Sequence, residues 1–405
     1  MVRESILTAI DIGFTSVTVA VVRVGADQAQ VLGTGHVICQ NGLQRGMVTS
    51  IEEVVNAVVA AVGQAEEAAD IRVKNVRLGI RGLHVECFTH HGSVAITRSD
   101  REITPDDISA VLESARAVHL GMDKQIIGVI PLEFMVDETS EISNPNGMVG
   151  STLGVDVFIT TASSTVVENV VRAVKHAGFD VVDISPSLLG TCEAVVTPEE
   201  KELGCVAADL GGDAIDVAVY GEKKLFHVEE IPAGLDLIVW DTAHALGCSI
   251  SHAREIIKNY GWAGPDYAPD NQTIVVTGLD GRAQKRISTE QLASIVQPRV
   301  EEILEAIKEV VTRTGRENLV AAGIVLTGGG ALLGGLDRVA TNMLGWPARL
   351  GVPLQSRIIC EMEDSPVFSA AIGLTLEKQA FSFRRGPGSR GGGILKGIRK
   401  IFEEF

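Results

Sequence analysis

Two aspartates, one near the start of each half of the chain, are the residues best placed to do chemistry. Asp209 lies in an apolar run, 206–210, and Gly211-Gly212-Asp213 leads straight into a second run, 215–220. So short a link leaves room only for a tight hairpin between two buried strands. At its tip, glycine amides can approach phosphate oxygens with no Cβ in the way, and the carboxylate can position a hydrated Mg²⁺. A lone D-x-G-G also serves as an ordinary hairpin. Residues 6–23 repeat the layout, however: apolar strand, Asp11, Gly13, a small polar tip at Thr15-Ser16, and a second β-branched strand. Two such hairpins point to a duplicated domain gripping one nucleotide from both sides. A third glycine cluster, Gly328-Gly329-Gly330, follows the short apolar strand 323–326, with an apolar helix expected from Ala331. Strand, glycine turn and helix N-terminus seat an anion or a nucleotide, and the same pattern also serves simple packing. No residue stands out as a base for activating water.

The elements that must hold these turns read as α/β. Residues 31–39 are a strand, 42–48 a glycine-containing turn, and Ser50 an N-cap with Glu53 completing a capping box. The helix it opens, 51–69, has apolar residues on nearly every face, as a helix lying on a sheet would. Residues 73–80 return as a strand, and the order ββ-β-α-β belongs to an α/β domain. Between 81 and 161 the character changes. A polar strand carries His90-His91, Thr104-Pro105-Asp106-Asp107 opens a helix to about His119, and strands follow at 126–136 and 154–161. This reads as an inserted subdomain. His90-His91 has no Cys or carboxylate at ligand spacing, so it reads as a solvated strand pair rather than a metal site.

A helix at 164–177, a strand at 181–187 and a polar connector at 197–202 lead into the second half. Beyond the second hairpin come a strand (226–231), helices at 234–246 and 251–260, an irregular loop (265–271) and a strand (273–276). A basic stretch runs from Arg282 to Arg286. Residues 289–315 are helical, and Pro298 inside them leaves open whether they form one helix or two. A small-residue helix, 366–378, closes the body.

At 405 residues there is chain enough for two domains with sizeable cores. The net charge of −17 argues against nucleic acid as a partner, because an acidic surface repels phosphate backbones. Six cysteines (Cys39, Cys87, Cys192, Cys205, Cys248 and Cys360) show no C-x-x-C spacing and read as small buried residues in a reducing compartment. The start of the chain lacks a signal-peptide pattern, and no apolar run reaches ~18 residues, so a spanning segment is not expected. That reading places the chain in the cytosol or on the cytosolic face of a membrane.

The last residues are physically a different object. Residues 381–405 are net positive on an acidic chain, and Gly386-Pro387-Gly388-Ser389-Arg390-Gly391-Gly392-Gly393 reads as a flexible tether. Ile394, Leu395, Ile398, Ile401, Phe402 and Phe405 then fall on one helical face, flanked by Lys396, Arg399 and Lys400. So short a segment does not fold alone in water. A basic amphipathic helix reads as a peripheral anchor, with apolar residues in the acyl boundary and cations on anionic headgroups. Docking onto the body or a partner is the alternative. One such helix binds weakly, so lasting attachment needs several chains side by side.

With hairpins, glycine turn, insertion and tail together, the chain resembles the FtsA family of bacterial cell-division actins over essentially its whole length. The most specific pieces are EKELGCVAADLGGDAIDVAVY (200–220), AAGIVLTGGGALLGGL (321–336), NGLQRGMV (41–48) and the tail. The resemblance implies a two-lobed actin-like fold of the actin/Hsp70/sugar-kinase type, with a first-half core at 1–81 plus 162–197. The FtsA-type insertion would be 82–161, the second-half core 198–228 plus 301–380, and its outer subdomain 229–300. Residues 381–393 would be linker and 394–405 the membrane-targeting helix. It further implies ATP and Mg²⁺ in the central cleft. The nucleotide would be held by Asp11, Gly13, Thr15, Ser16, Asp209, Gly211, Gly212 and the turn Gly328-Gly329-Gly330, with Asp11 and Asp209 reaching Mg²⁺ through water.

The implied role is to tie filaments of the tubulin-like FtsZ to the cytoplasmic face of the inner membrane at the division site. The chain would bind the FtsZ C-terminal peptide, assemble with copies of itself and recruit later division proteins. The sequence departs from the family pattern in three places. Asp213 and Ala214 replace a glycine and a threonine in the second hairpin, and Val17 stands where a basic residue is common. In the ribose-facing helix Arg254 stands at an acidic position and Ile257 near a lysine, with Glu255 and Lys258 one place on. Three functions stay open on the residues: a membrane-bound adaptor, with Arg282 and Arg286 as a candidate seat for an acidic peptide; an ATPase of the superfamily; and an actin-like scaffold of a pilus or secretion assembly.

Overall fold

Each apolar hairpin forms the middle of its own sheet. The computed structural model describes residues 4–376 except 27, 40, 271 and 280–283. The tail residues Ile394–Phe405 and Arg282 therefore lie outside the described residues. In the first half, β1 (Ser5–Ile12), β2 (Ser16–Val24) and β3 (Ala29–Ile38) form an antiparallel meander. Helix α1 (Ile51–Ala69) crosses to β4 (Asn75–Ile80), which lies parallel to β1. The face of α1 that packs on the sheet is Val54, Ala57, Val58, Ala61, Val62 and Ala65, and Ser50 caps its first turn by accepting from the Glu53 amide.

Residues beyond β4 build a separate layer. Strands β5 (Glu86–Ala95), β6 (Lys124–Val136), β7 (Thr139–Ile142) and β8 (Thr152–Ser163) form a four-stranded sheet, order β5-β8-β6-β7. Helix α2 (Pro105–Arg116) covers it, burying Ile108, Val111 and Leu112 against Val129, Phe134 and Val155. The chain returns through α3 (Ser164–His176) and β9 (Asp180–Pro186), which joins the first sheet parallel to β4.

The second half repeats the plan. After α4 (Ser187–Val195) and α5 (Pro198–Leu203) come β10 (Cys205–Leu210), β11 (Ile215–Gly221) and β12 (Lys224–Ile231). Both β10 and β11 are buried along their whole length, which is why they read as unbroken apolar runs. Helices α6 (Leu235–Leu246) and α7 (Ile250–Tyr260), a small ribbon of β13 (Thr273–Thr277) and β14 (Gln284–Ser288), and α8 (Thr289–Arg313) stand outside. Strands β15 (Gly323–Thr327) and β16 (Ala348–Leu350) then complete a sheet of order β12-β11-β10-β15-β16. The first sheet reads β3-β2-β1-β4-β9, the same winding, with the short β17 (Ile358–Ile359) added beside β3.

The halves meet along α4 and α10 (Ser369–Leu376), which cross so closely that a Cβ on Gly373 would stand 1.7 Å from the Gly190 carbonyl oxygen. Small side chains, Ala207, Ala218, Cys192 and Ala371, line the seam. Two local expectations change and one open alternative is decided. Residues 197–202 are not a mere connector: Thr197 and Glu200 form a capping box that starts α5 behind Pro198. Pro298 leaves α8 a single helix, because it sits on the solvent face, where the carbonyl of exposed Ser294 can turn to water. The helix placed from Ala331 begins at Leu336 (α9, Leu336–Leu344), after a 3₁₀ turn at Gly329–Leu332.

Candidate functional site

The two hairpins face each other across the seam. Asp11 ends β1 and Asp209 ends β10, each 5% exposed. Gly13 closes the first tip by donating to the Ser16 carbonyl at 2.8 Å, and Gly211 closes the second by donating to the Ala214 carbonyl at 3.1 Å. The tips touch: a Cβ on Gly212 would lie 2.8 Å from Thr15 Oγ1, and one on Gly211 equally close to the Phe14 ring. Gly328, with φ +81°, folds its turn against the Asp209 carboxylate, and Gly330 packs on Leu235. Asp11, Gly13, Thr15, Ser16, Asp209, Gly211, Gly212 and Gly328-Gly329-Gly330 are thus brought to one place. Arg286 is not; it is exposed on β14, opposite Val275 in the outer ribbon.

Helix α4 supports both carboxylates from one face. Ser187 Oγ donates to Asp11 Oδ1 at 2.5 Å, and Thr191 Oγ1, one turn on, donates to Asp209 Oδ2 at 2.9 Å. Between the carboxylates lies a residue outside every motif described above. Arg81, directly after β4, places Nη2 at 3.1 Å from Asp11 Oδ2 and 3.1 Å from Asp209 Oδ2. Its Nη1 lies 3.2 Å from Asp216 Oδ2 as an ion pair without hydrogen-bond alignment. The Arg81 side chain is 6% exposed, and its guanidinium carbon sits 5.3 Å from the centre of the Phe14 ring. Burial works against this charge, but Asp11, Asp209 and Asp216 outweigh it and hold the guanidinium above its ordinary range. Behind Arg81, burial and the neighbouring carboxylates push both Asp216 and Glu230 upward. The cavity beside them, lined by Arg81, Gly82, Cys87, Asp216 and Glu230 among others, measures about 30 Å³, room for water.

The altered positions have partners of their own. Asp213 Oδ2 accepts the Arg45 amide from the 42–48 turn at 3.4 Å, and Ala214 and Val17 are buried. Arg254 Nη1 donates to Asp236 Oδ1 at 2.7 Å, beside Gly212. Ile257 packs against the second core, and Glu255 is exposed near His252. In the insertion His91 Nδ1 meets Asp156 Oδ1 at 2.8 Å, and no group of three metal-ligating side chains occurs among the described residues.

These contacts test the expectation of Mg²⁺ at Asp11 and Asp209. A magnesium ion needs near-octahedral oxygen ligands and keeps several waters. Here both Asp11 oxygens and Asp209 Oδ2 already accept hydrogen bonds from Ser187, Arg81 and Thr191, and a permanent cation sits between them. The donor set does not fit the metal. The sequence signal was present: Arg81 is the one charged residue in Leu78–Gly82, at the end of a strand paired with β1 through Asp11 and Gly79.

Residues 82–161 match the family described as SHS2 domain inserted in FtsA, and 206–373 match cell division protein FtsA. The FtsA of Pseudomonas aeruginosa is 33% identical over 379 residues, covering 92% of this chain and 90% of that protein. That of Escherichia coli K12 is 30% identical over 380 residues, with coverage of 92% and 90%. Among solved structures, a PilM-PilN type IV pilus biogenesis complex superposes with a TM-score of 0.66 at 16% identity, over 91% of this chain and 97% of that one. MreB5 of Spiroplasma citri bound to ADP gives 0.55 at 12% identity, over 92% and 95%. The structural likenesses establish the actin-like fold, and the sequence relatives establish more: this chain belongs to the FtsA family of cell-division proteins.

Proposed function

We propose that this chain is a cell-division adaptor: an actin-like body that assembles side by side on the inner membrane and holds FtsZ filaments there. The observation that carries the reading is kinship with FtsA proteins along 92% of the chain, insertion included. The basic amphipathic pattern Ile394–Phe405 supports attachment to anionic lipid, and among the described residues no helix is long and apolar enough to cross a membrane. In this reading the outer part of the second half, 229–300, receives the FtsZ C-terminal peptide. Arg282 and Arg286 would receive the acidic peptide, and a double charge reversal there that leaves FtsZ-peptide affinity intact removes that assignment.

The expectation of ATP with Mg²⁺ rests on the fold family, whose members include MreB5 structures bound to ADP and to AMPPNP. No catalytic residue is assigned, and the adaptor role does not require turnover. Co-sedimentation of the full chain and of a 1–380 truncation with anionic vesicles tests the proposal. Pelleting of the full chain alone supports the tail as anchor. If neither pellets, a scaffold role off the membrane replaces the adaptor, as the likeness to a pilus-assembly protein would favour.

A further inference from the structure

We propose that Arg81 is the resident cation of this cleft. It takes the position between the two hairpin carboxylates that a hydrated Mg²⁺ would need, so the body closes without metal and ATP·Mg²⁺ adds nothing to its stability. One nitrogen, Nη2, contacts a carboxylate of each lobe at 3.1 Å, so the guanidinium spans the seam. Three more features fix it there. Its side chain is buried, Phe14 from the first tip lies over it, and Asp216 from β11 holds its second nitrogen.

A divalent ion placed beside it meets a like charge at contact distance in a poorly solvated site, and finds three of the four carboxylate oxygens already used. The hairpin tips also approach closely, Thr15 Oγ1 standing 2.8 Å from where a Cβ on Gly212 would lie, and Leu235 packs against Gly330. The acids around Arg81 outnumber it. Asp11, Asp209 and Asp216 contact it directly and Glu230 stands behind, so removing the guanidinium leaves buried carboxylates that require another cation. That excess gives the experiment its handle.

The experiment is thermal unfolding of the full chain in EDTA, in Mg²⁺, in ATP with EDTA and in ATP·Mg²⁺, for the natural protein, Arg81→Ala and Arg81→Lys. The natural protein is expected to melt at one temperature in all four. Arg81→Ala is expected to melt several degrees lower in EDTA and to recover part of the loss in Mg²⁺. A rise in the natural protein's melting temperature seen with ATP·Mg²⁺ but not with either component alone overturns the proposal. So does an Arg81→Ala protein as stable in EDTA as the natural one. Should Arg81→Ala fail to fold, Arg81→Lys decides: indifference to Mg²⁺ supports the proposal, and stabilisation by Mg²⁺ refutes it. None of these outcomes bears on vesicle binding, so the adaptor reading stands or falls separately.

Discussion

The two hairpins share a backbone plan and differ in the cross-strand neighbour of the aspartate. In the first, Asp11 lies opposite Thr18; in the second, Asp209 lies opposite Asp216. The Thr18 hydroxyl reaches Asp11 at 3.5 Å, and Ser187 supplies a second donor, so hydroxyls satisfy most of the first carboxylate. The second hairpin sets two carboxylates face to face in a buried sheet, which is unfavourable until a cation arrives. That cation, Arg81, belongs to the other lobe. The lesson is that Asp216 in place of a hydroxyl makes the charge of the second hairpin unlike that of the first, and this asymmetry ties one half of the body to the other.

The sharpest way to break the comparison is to remove the tie. Arg81→Ala should cost about 3–5 kcal/mol, the usual consequence of stranding buried charge, measured by denaturant unfolding in EDTA. A smaller loss would mean that the second hairpin tolerates its paired acids unaided.

The second test uses pH. Burial, with Asp209 and Asp11 adding to it against the pull of Arg81, raises Asp216 to about 7. Burial and Asp216 raise Glu230 to about 8, while Arg81 and the Gly82 amide pull the other way. Both folded values exceed those of the unfolded chain, so the folded state holds protons the unfolded state has released. Their contribution is fully present below about pH 4 and is lost as pH rises through 7 and 8. Unfolding free energy should therefore fall by roughly 1–3 kcal/mol between pH 6 and 9. Asp216→Asn should flatten that slope. A flat profile would show that the pair is ionised in the folded protein as it is in the unfolded chain.

The first hairpin should respond more mildly. Thr18→Val removes one long hydrogen bond from a carboxylate that keeps Ser187 and Arg81, so a loss of about 1 kcal/mol or less is expected in the same unfolding assay. Smallest of all is Arg254→Ala. Its partner Asp236 is largely buried, but the arginine is 30% exposed, so about 0.5 kcal/mol is expected. A much larger effect there would shift attention from the carboxylate cluster to the flank of the second tip.

Much of this was legible in the chain. Strands buried on both faces, such as β10 and β11, appear as unbroken apolar runs, and the hairpin links are too short for another geometry. What escaped was of two kinds. Helix α4 and its serine–threonine pair carry no sequence signal of their own, because SLLGTCEAV shows no amphipathic pattern when both faces are buried between lobes. The effect of Pro298 stays open in the sequence because its solvent-facing position cannot be told from its neighbours alone. Mg²⁺ does not fit for a related reason: the partners that occupy Asp11 and Asp209 lie far from them along the chain.

Local sequence determined the two hairpins, the glycine turn at 328–330, the insertion and the family, since these rest on short-range sterics and on the pattern of apolar residues. The tertiary structure alone decided what the carboxylates do. Arg81 and Asp209 are 128 positions apart and sit in different lobes, and only the packing of β4 against β1 and of α4 across the seam puts them 3.1 Å from each other. Charge acts through distance and burial, and neither is written in the order of residues.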